Sequence, residues 1–565
     1  MIPCTRSFVS VGRAVLLTGA GCAFLSIAGC SAAHYRDDAD REVYAILEKR
    51  RAQLLENPGA FTVEPAQDSL RKRLLNSAEL LSSPQSRPSV HLDLQSALAI
   101  AAENSRSYQS EKEQVYRAAL DLTLERYRLG YIPTLSAFTG ISGVGEEAVE
   151  AEGSVGAGFT KVLGTGARIV ANIGVGIFRS LLTNEGWRSL PTELNIAITQ
   201  PLLRGSGALI VEEQLTQAER DTIYAIRGFE RFRHEFAVDV ATRLYRVLQD
   251  ADTIVNEKAN FDNLALVRQR NEELNKAGRL SEVEVGQAQQ NELSARNRWI
   301  DAREALESRL DDLKIFLGLP VEIDLVIDPV ELQKLQKENL VTVEILEDSA
   351  VQIAREKRFD YQTSQDRVAD AERRVRVAAD ALDMGLDVTF NHSVSSPEGQ
   401  ASRLDFKNAS WALGLNVDLP VDRLPQRNSY RSALIALEAE FRAASLATDN
   451  VRLQIRNSVR DLRQSKESYE IQKLAVSLAE SRVASAELFL QAGRSSTRDL
   501  LEAQESLVAA RNALTRNLIE FTLSKLALYR DLGAIIVDEN GIGVDQSVLD
   551  VAKGAKLAAS EPPNK

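Results

Sequence analysis

The sequence predicts a mainly α-helical fold that consists of one duplicated unit, with a small β segment in each copy. Two short stretches indicate the duplication: 277–281 reads Ala-Gly-Arg-Leu-Ser and 492–496 reads Ala-Gly-Arg-Ser-Ser. A Leu-Gly pair follows each stretch, and the two glycines are 40 residues apart in both copies (318 − 278 and 533 − 493). Equal spacing of such breaks is typical of an internal repeat. Aromatic residues make up only 6% of the chain, a composition that favours long helices packed through small side chains.

Residues 1–29 are predicted to be a lipoprotein signal peptide. Two arginines precede an apolar run that is too short and too rich in glycine for a stable membrane span. The run ends at 27–30 (Ile-Ala-Gly-Cys), which resembles a bacterial lipobox, so Cys30 is the expected lipidation site. Cys22 lacks an aliphatic residue three positions before it and is the weaker candidate. Cleavage before Cys30 leaves one cysteine and therefore no disulfide within the mature chain.

The first copy of the repeat is predicted to span 91–320. Apolar and small residues recur at spacings of three and four over 92–128, which is the pattern of a helix face. Alternation of apolar with small or polar residues then predicts strands within 134–200. A helical pattern follows over 208–276, which at 1.5 Å per residue is roughly 100 Å long. A shorter helix at 281–317 completes the copy.

The second copy, 344–535, repeats this order. Its predicted elements are a first helix, a β segment, a long helix and a short helix, at 345–383, 385–420, 429–492 and 496–532. Three segments lie outside the copies: a lipidated N-terminal arm, an inter-repeat linker and a C-terminal tail, at 30–90, 321–343 and 536–565. Residues 31–90 and 541–565 are expected to be flexible or peripheral arms.

The predicted strands have one apolar face and one small or polar face. Their lengths are close to the roughly 9–11 residues that cross a bilayer as a tilted strand. Backbone inside a bilayer must be fully hydrogen-bonded, so a few hairpins with open edges cannot cross it alone. Closure therefore implies a ring of identical subunits, and we expect a small transmembrane β-barrel segment that is shared between chains.

The order of helix, strands, long helix, turn and short helix, given twice, resembles that of the TolC-like outer-membrane efflux proteins over about 91–535. The stretches that carry the resemblance are the two Ala-Gly-Arg turns, the two Leu-Gly ends, 199–205 (Thr-Gln-Pro-Leu-Leu-Arg-Gly) and 499–504 (Asp-Leu-Leu-Glu-Ala-Gln). The resemblance implies a homotrimer with a shared barrel of four strands per chain and a trimeric α-helical tube across the periplasm. An additional hairpin around 164–166 would give either a barrel of more than twelve strands or a hairpin outside the barrel.

The resemblance also implies a function. Such a protein is the outer-membrane exit channel of a tripartite efflux or type I secretion system, and it receives substrates from an inner-membrane transporter through a periplasmic adaptor, the membrane fusion protein. We therefore expect a chain that is lipid-anchored in the cell outer membrane, contacts outer-membrane lipid and extends into the periplasm. The alternative is a coiled-coil scaffold or adaptor lipoprotein of the periplasm that forms no pore.

In the family the two turns form the periplasmic mouth and the docking site of the adaptor. The residues that carry over are four in each turn: Gly278, Arg279, Leu280 and Ser281, and Gly493, Arg494, Ser495 and Ser496. The family also has a periplasmic gate with an acidic ring, whose counterparts here are Asp499, Glu502 and Glu284. The alternative is that glycine, serine and acid only cap helices. Two groups of the best-known gate are replaced by Ser495 and Leu490, so a locking role for Arg494 is a hypothesis.

The charge and the remaining motifs argue against other functions. The net charge of −12 and the absence of a basic stripe in the sequence argue against a nucleic-acid partner. The four histidines have no metal-ligand spacing, and no nucleophile elbow or phosphate-binding loop is present in the sequence. We therefore expect no enzyme activity, no metal and no cofactor.

Overall fold

The structure is a computed structural model that describes residues 31–55, 59–66, 68–76, 89–144, 148–180, 186–328, 330–338, 345–397, 400, 403–492, 494–538 and 541–552. Cys30 and Gly493 lie outside the described residues. The chain divides into two compact units. Unit 1 comprises Met1–Phe61, Val115–Ile226 and Asp366–Arg442, and unit 2 comprises Thr62–Gln114, Arg227–Gln365 and Ala443–Lys565. Each unit therefore takes segments from both copies of the repeat.

Helices account for most of the described residues. In chain order they are α1 (Ala32–Leu54), α2 (Leu70–Asn76), α3 (Leu94–Asn104), α4 (Arg106–Leu129), α5 (Ala208–Val211), α6 (Glu213–Lys276), α7 (Glu282–Leu317), α8 (Val330–Glu338), α9 (Glu347–Lys357), α10 (Phe359–Asp380), α11 (Leu424–Gln491), α12 (Thr497–Leu532) and α13 (Gln546–Ala552). The strands are β1 (Ser89–Leu92), β2 (Tyr131–Val144), β3 (Ala148–Val162), β4 (Arg168–Ser180), β5 (Arg188–Ser189), β6 (Glu193–Pro201), β7 (Asp324–Ile327), β8 (Gly385–Ser395), β9 (Ser410–Asp418), β10 (Ile535–Asp538) and β11 (Gly541–Val544).

The first predicted helix of each copy is two helices in the structure. Ser105 separates α3 from α4 with an extended backbone (φ −70°, ψ 130°), and Arg358 separates α9 from α10 in the same way (φ −76°, ψ 119°). Neither break has a proline or glycine, so the helical periodicity runs through it. The cause is tertiary, because each break packs against the Leu-Gly stop of its own copy. A Cβ on Gly318 would lie 2.2 Å from the carbonyl oxygen of Asn104, and one on Gly533 would lie 3.2 Å from Cβ of Lys357.

Unit 1 contains a sheet of six strands in the order β2-β3-β4-β6-β8-β9, with the short β5 paired to β4. Every neighbouring pair of this row is antiparallel. The pairing of β6 with β8 joins the first copy of the repeat to the second. Within the described part of the chain the first β segment supplies four long strands and the second supplies two. The additional hairpin around 164–166, which the sequence left open, is therefore present as β3 and β4.

The segments outside the two copies, including the two arms that were expected to be flexible or peripheral, contain packed structure. In unit 1, α1 contacts α4 and α6, because Ile46 packs with Leu122 and Ala218, and the hydroxyl of Tyr116 donates to Asp40 at 2.5 Å. The predicted linker 321–343 contains β7, which pairs in parallel with β1, and also α8. Ile535–Asp538 and Gly541–Val544 form the antiparallel β10–β11 pair, and α13 follows at Gln546–Ala552. The elements of the linker and of the C-terminal segment are at most nine residues long, too short for a periodicity signal in the sequence.

The core of unit 2 is built where α3, α6 and α7 meet the β1–β7 pair. Leu92, Leu244, Leu313, Leu317 and Ile323 are almost fully buried there. A second cluster joins α9, α11 and α12 to the C-terminal hairpin and α13, and contains Val351, Ile455, Leu528, Ile535 and Leu549. Both Leu-Gly ends therefore lie beside a hydrophobic cluster of unit 2.

Candidate functional site

One face of the six-stranded sheet in unit 1 is largely apolar. The register places the odd-numbered residues of β2, β3, β4 and β9 on this face together with the even-numbered residues of β6 and β8. Leu135, Val155, Ile173 and Leu413 represent four of these strands, and all four side chains are exposed. Contiguous exposed apolar surface of this extent is typical of a surface that contacts lipid or protein.

The opposite face of the same sheet is small and polar. It is represented by Ser136 on β2, Glu152 on β3, Asn172 on β4, Asn195 on β6 and Asn416 on β9. Apolar exceptions on this face include Ile132, Phe138, Val162, Val170 and Phe178. The two faces of the sheet therefore differ in polarity, an alternation that strands of membrane barrels also have.

The 199–205 motif, which links β6 to the helices α5 and α6, also makes hydrogen bonds to β9 and to the end of α10. Arg204 of this motif donates to Asp418, the last residue of β9, at 2.6 Å. The backbone N–H of Gly205 donates to the carboxylate of Asp380 at 2.9 Å. The 199–205 motif, which belongs to the first copy, is thus attached to two segments of the second copy within unit 1.

The first Ala-Gly-Arg turn, in unit 2, is a tight helix-to-helix connection. Gly278 has φ +68°, the left-handed conformation that favours glycine. The N–H of Arg279 donates to the carbonyl of Leu274 at 2.9 Å and that of Gly278 donates to Asn275 at 2.8 Å, which is a Schellman motif. The side chain of Asn275 donates to the carbonyl of Leu280 at 2.8 Å. Asn275, which the sequence did not single out, therefore holds the turn closed.

Ser281 and Ser496 start the short helices α7 and α12 with the same capping box. Ser281 accepts from the N–H of Glu284 at 3.3 Å, and its own N–H donates to the Glu284 carboxylate at 3.2 Å. Ser496 and Asp499 make the equivalent pair of hydrogen bonds at 3.3 and 2.9 Å. The N–H of Arg494 donates to the carbonyl of Phe489 at 2.8 Å, as Arg279 does in the first turn. Arg279 and Arg494 both have exposed side chains.

The three acidic candidates have different surroundings. Asp499 accepts from the backbone N–H of Ser496 and from the hydroxyls of Ser496 and Ser495, and these hydrogen bonds lower its pKa. Glu284 is held by Ser281 in the same manner. Glu502 instead pairs with Arg482 of α11, at 2.9 Å between exposed side chains. Within one chain, the first two carboxylates therefore cap helices and the third forms an exposed ion pair.

A polar seam between α6 and α12 was not found in the sequence. Asp252 accepts from Thr515 at 2.5 Å, and Asn512 donates to Glu257 at 3.0 Å. Two buried amides of the same helices, Asn260 Nδ2 and Gln504 Oε1, have no hydrogen-bond partner. They line a cavity of about 340 Å³ with residues of α11. The recurrence of asparagine at 256, 260 and 263, which are four and three apart, was the available signal.

The described residues have neither a membrane-spanning helix nor a metal-binding cluster. None of the described helices is long and apolar enough to cross a membrane. Among the same residues, no group of three or more His, Cys, Asp and Glu side chains is arranged to hold a metal ion.

Comparison with known proteins gives matches among solved structures. No protein-family model and no curated protein sequence matches the chain. The CmeC outer membrane channel of Campylobacter jejuni is 14% identical with a TM-score of 0.57, over 82% of this chain and 90% of that chain. CusC is 13% identical with a TM-score of 0.57, over 84% and 99%. The outer membrane protein VceC of Vibrio cholerae is 16% identical with a TM-score of 0.55, over 78% and 96%.

At these identities the similarity establishes the fold. It covers nearly the whole of each solved chain, and it agrees with a mostly helical protein that contains a sheet. The predicted resemblance to the TolC-like proteins is confirmed at this level, and the chain has the fold of the outer-membrane channels to which CusC, CmeC and VceC belong.

Proposed function

We propose that the chain is the outer-membrane exit channel of a tripartite efflux or type I secretion system. The observation that carries this proposal is the two-faced sheet of unit 1, with exposed apolar side chains on one face and polar ones on the other. An apolar face suits the lipid and a polar face suits a water-filled lumen. The shared fold with outer-membrane channels supports the same conclusion.

The proposal includes an assembly and a location. The chain forms a homotrimer in the cell outer membrane, extends into the periplasm and is anchored by a lipid on Cys30. The anchor rests on the lipobox-like sequence at 27–30. Substrates reach the channel from an inner-membrane transporter through a periplasmic adaptor. The mechanism is passive conduction, which the adaptor controls by moving the helices beside the two turns.

Extraction and reconstitution test the channel. The chain, extracted from membranes with detergent, is expected to run as a heat-resistant trimer and to give stepwise conductance in planar bilayers. Mass spectrometry of the mature N-terminus is expected to find an acylated Cys30, and Cys30→Ser is expected to remove the acyl chains. Recovery of a monomer from the soluble periplasm would contradict the channel and would favour a scaffold or adaptor that forms no pore.

The gate is proposed to lie beside the second turn, where Asp499 and Glu502 are three residues apart on one helix face. Three copies around an axis would give a negative ring that attracts cations. Asp499→Asn removes the charge but keeps a side-chain oxygen that can accept from the N–H of Ser496, whereas Ser496→Ala removes the cap hydroxyl and retains the charge. We expect Asp499→Asn, but not Ser496→Ala, to reduce block of the bilayer conductance by divalent cations. Equal effects of the two variants would reduce Asp499 to a capping residue.

The turn residues are proposed to dock the adaptor, and Arg494 to take part in closing the gate. Gly278, Leu280 and Ser281 shape the first turn, while the exposed Arg279 and Arg494 offer charge to a partner. Charge reversal of Arg279 to Glu is expected to abolish export in cells and to leave the conductance of the purified channel unchanged. Arg494→Ala is expected to raise that conductance, and an unchanged value would count against a gating role.

A further inference from the structure

We propose that the two edges of the sheet in unit 1 are interfaces for further copies of this chain, and that three copies close a barrel of eighteen strands. The inference rests on the proposed function, which supplies the trimer. The resemblance implies four strands per chain, and the described residues provide six. The two additional strands belong to the first β segment, where β2, β3 and β4 precede β6. The open question is whether they belong to the barrel wall.

The faces of β2 and β3 match the rest of the sheet. Fourteen residue pairs join β2 to β3, from Tyr131 with Lys161 to Val144 with Ala148. The register aligns Leu135, Ala157 and Ile173 across β2, β3 and β4 on the apolar face. On the other face it aligns Ser136 with Gly156 and Gly174. A hairpin surrounded by water would have no need of this apolar face, whereas a hairpin in a membrane wall requires it.

The turn between β3 and β4 is attached to the base of the sheet. The Thr165 hydroxyl lies 3.0 Å from the side-chain oxygen of Gln200, and the Gln200 amide donates to the Thr165 carbonyl at 3.1 Å. The N–H of Gly207 donates to the same carbonyl at 3.2 Å. Gly166 has φ +92°, and a Cβ there would lie 2.6 Å from the carbonyl oxygen of Gly205. The hairpin is therefore fixed in line with β6.

The two edges of the sheet are complementary in direction. Because all neighbours are antiparallel and the row has six strands, β2 and β9 run in opposite directions. In the described residues no strand lies beyond either of them. An open edge with apolar side chains is unstable in water and excluded from a bilayer, and six strands are fewer than the eight of the smallest outer-membrane barrels. The edge strand β9 of one chain can therefore form an antiparallel pair with β2 of the next chain, and repetition of this pairing closes a ring.

The size of the barrel follows from the strand count. Barrel diameter grows roughly linearly with the number of strands, and barrels of about 16–18 strands leave an aqueous channel. Three copies of this sheet give eighteen strands, so the lumen is about 1.5 times as wide as that of a twelve-stranded barrel. The outer-membrane exit would therefore admit larger cargo than the exit of a four-stranded relative.

Cysteine cross-linking in the assembled full-length protein distinguishes the two barrels. Leu135→Cys on β2 combined with Leu415→Cys on β9 is expected to shift the monomer to cross-linked dimers and trimers on non-reducing gels, run under denaturing conditions in which the unsubstituted trimer dissociates. Ile173→Cys on β4, which lies in the same row as Leu135, combined with Leu415→Cys is the matched control. In a twelve-stranded barrel β4 would be the edge that meets β9, whereas here β4 is flanked by β3 and β6. The unsubstituted mature chain, in which Cys30 is the one cysteine expected after cleavage, gives the background.

Labelling of the two faces of β2 supplies a second test that does not depend on register. With a water-soluble thiol reagent, Leu135→Cys is expected to label less than Ser136→Cys. The ratio of labelling between Leu135→Cys and Ser136→Cys should match the ratio between Leu415→Cys and Asn416→Cys on β9. Equal labelling of the β2 pair would place the hairpin in water and overturn the inference.

The outcomes separate the inference from the channel function. A conducting trimer that cross-links through β4 refutes the eighteen-stranded barrel and leaves the channel function supported. Equal labelling of the two faces of β2 in a conducting trimer has the same meaning. A trimer that conducts but gives no β2-to-β9 cross-link also refutes the eighteen-stranded barrel. A protein that neither conducts nor forms a trimer refutes both proposals. Cross-links through β2 in a conducting trimer support both.

Discussion

At the residue scale, Asp370 of α10 organises the charged groups of unit 1. Its side chain is only 1% exposed. It accepts from the hydroxyl of Tyr224 at 2.6 Å and from Arg373 at 2.9 Å, and lies 3.0 Å from Arg220. Burial and the hydrogen bond to this carboxylate raise the pKa of Tyr224 to about 12. The carboxylate thus compensates two guanidinium groups of different helices.

Removal of Asp370 is expected to destabilise unit 1 strongly. Asp370→Ala leaves Arg220 and Arg373 without their shared partner, and the loss of one member of a buried ion cluster costs about 3–5 kcal/mol. Asp366→Ala is the control, because Asp366 lies 3.8 Å from Arg220 and is 40% exposed, so about 1 kcal/mol or less is expected. Urea unfolding followed by circular dichroism measures both. Equal midpoints for the two variants would contradict this role of Asp370.

His234 of α6 makes the stability of unit 2 depend on pH. Burial lowers its pKa to about 4, and Arg233 and Arg231 act in the same direction. The unfolded chain, with a histidine pKa of about 6.5, binds the proton more readily. The stability from the neutral imidazole is therefore complete above about pH 6.5 and is lost as the pH falls toward 4.

Replacement of His234 is expected to flatten this dependence. At pH 5 the histidine lowers the free energy of unfolding by about 2 kcal/mol, and a glutamine at 234 removes that contribution. Thermal melts of the wild type and of His234→Gln between pH 7 and pH 5 measure the difference. If the melting temperatures of the two proteins fall by the same amount between pH 7 and pH 5, His234 is not the group responsible for the pH dependence.

At the scale of elements, the ends of the short helices are the best-predicted features. In the structure α12 begins and ends 215 residues after α7 (497 − 282 and 532 − 317). Serine caps and left-handed glycines act through hydrogen bonds within a few residues, so the sequence contains the whole cause. The breaks at Ser105 and Arg358 arise from contacts with Gly318 and Gly533, more than 170 residues away in the chain, and no local pattern contains them.

The two kinds of glycine are expected to respond differently to substitution. Gly278→Ala adds only the strain of a left-handed alanine, about 1–2 kcal/mol, because nothing lies within 4 Å of its Cβ position. Gly318→Ala adds the same strain and a clash with the backbone oxygen of Asn104. Denaturant midpoints of the two variants measure the difference, and Gly318→Ala should be clearly the less stable. A similar loss for both would mean that the break at Ser105 can relax.

The β segments show where sequence patterns were insufficient. The alternation in β4, β6, β8 and β9 was clear because large aliphatic side chains occupy one face. In β2 and β3 many positions on both faces are Gly, Ala, Ser or Thr, and Phe138 lies on the polar face. Only the pairing of β3 with β4 assigns each residue of this hairpin to a side, because neighbouring strands share their faces.

At the scale of the whole molecule, the polar face of the sheet predicts cation selectivity for the proposed channel. Its charged residues on the six strands are mostly acidic: Glu150, Glu152, Glu193, Asp387 and Asp418, against Arg168. Rings of acidic side chains favour cations. In a trimer the excess of acidic over basic residues on this face would be three times as large.

Neutralisation of two of these acids is expected to weaken the selectivity. The double substitution Glu150→Gln and Glu152→Gln should shift the reversal potential in a KCl gradient toward zero, because both carboxylates face the lumen in the proposed barrel. Ser154→Ala, on the same face of β3, is the control and should leave the potential unchanged. A potential that does not respond to the double variant would mean that this face does not line the ion path.

The sequence by itself determined the duplicated order of elements, the ends of the short helices and the two-faced character of four strands. These features depend on periodicity, capping and backbone conformation, which act over a few residues. The tertiary structure decided the broken first helices, the packed N- and C-terminal segments and the six-stranded row. It also assigned Glu284 and Asp499 to capping boxes and Glu502 to Arg482. Such features depend on which distant segments meet, because a contact between residues far apart in the chain leaves no pattern within either segment.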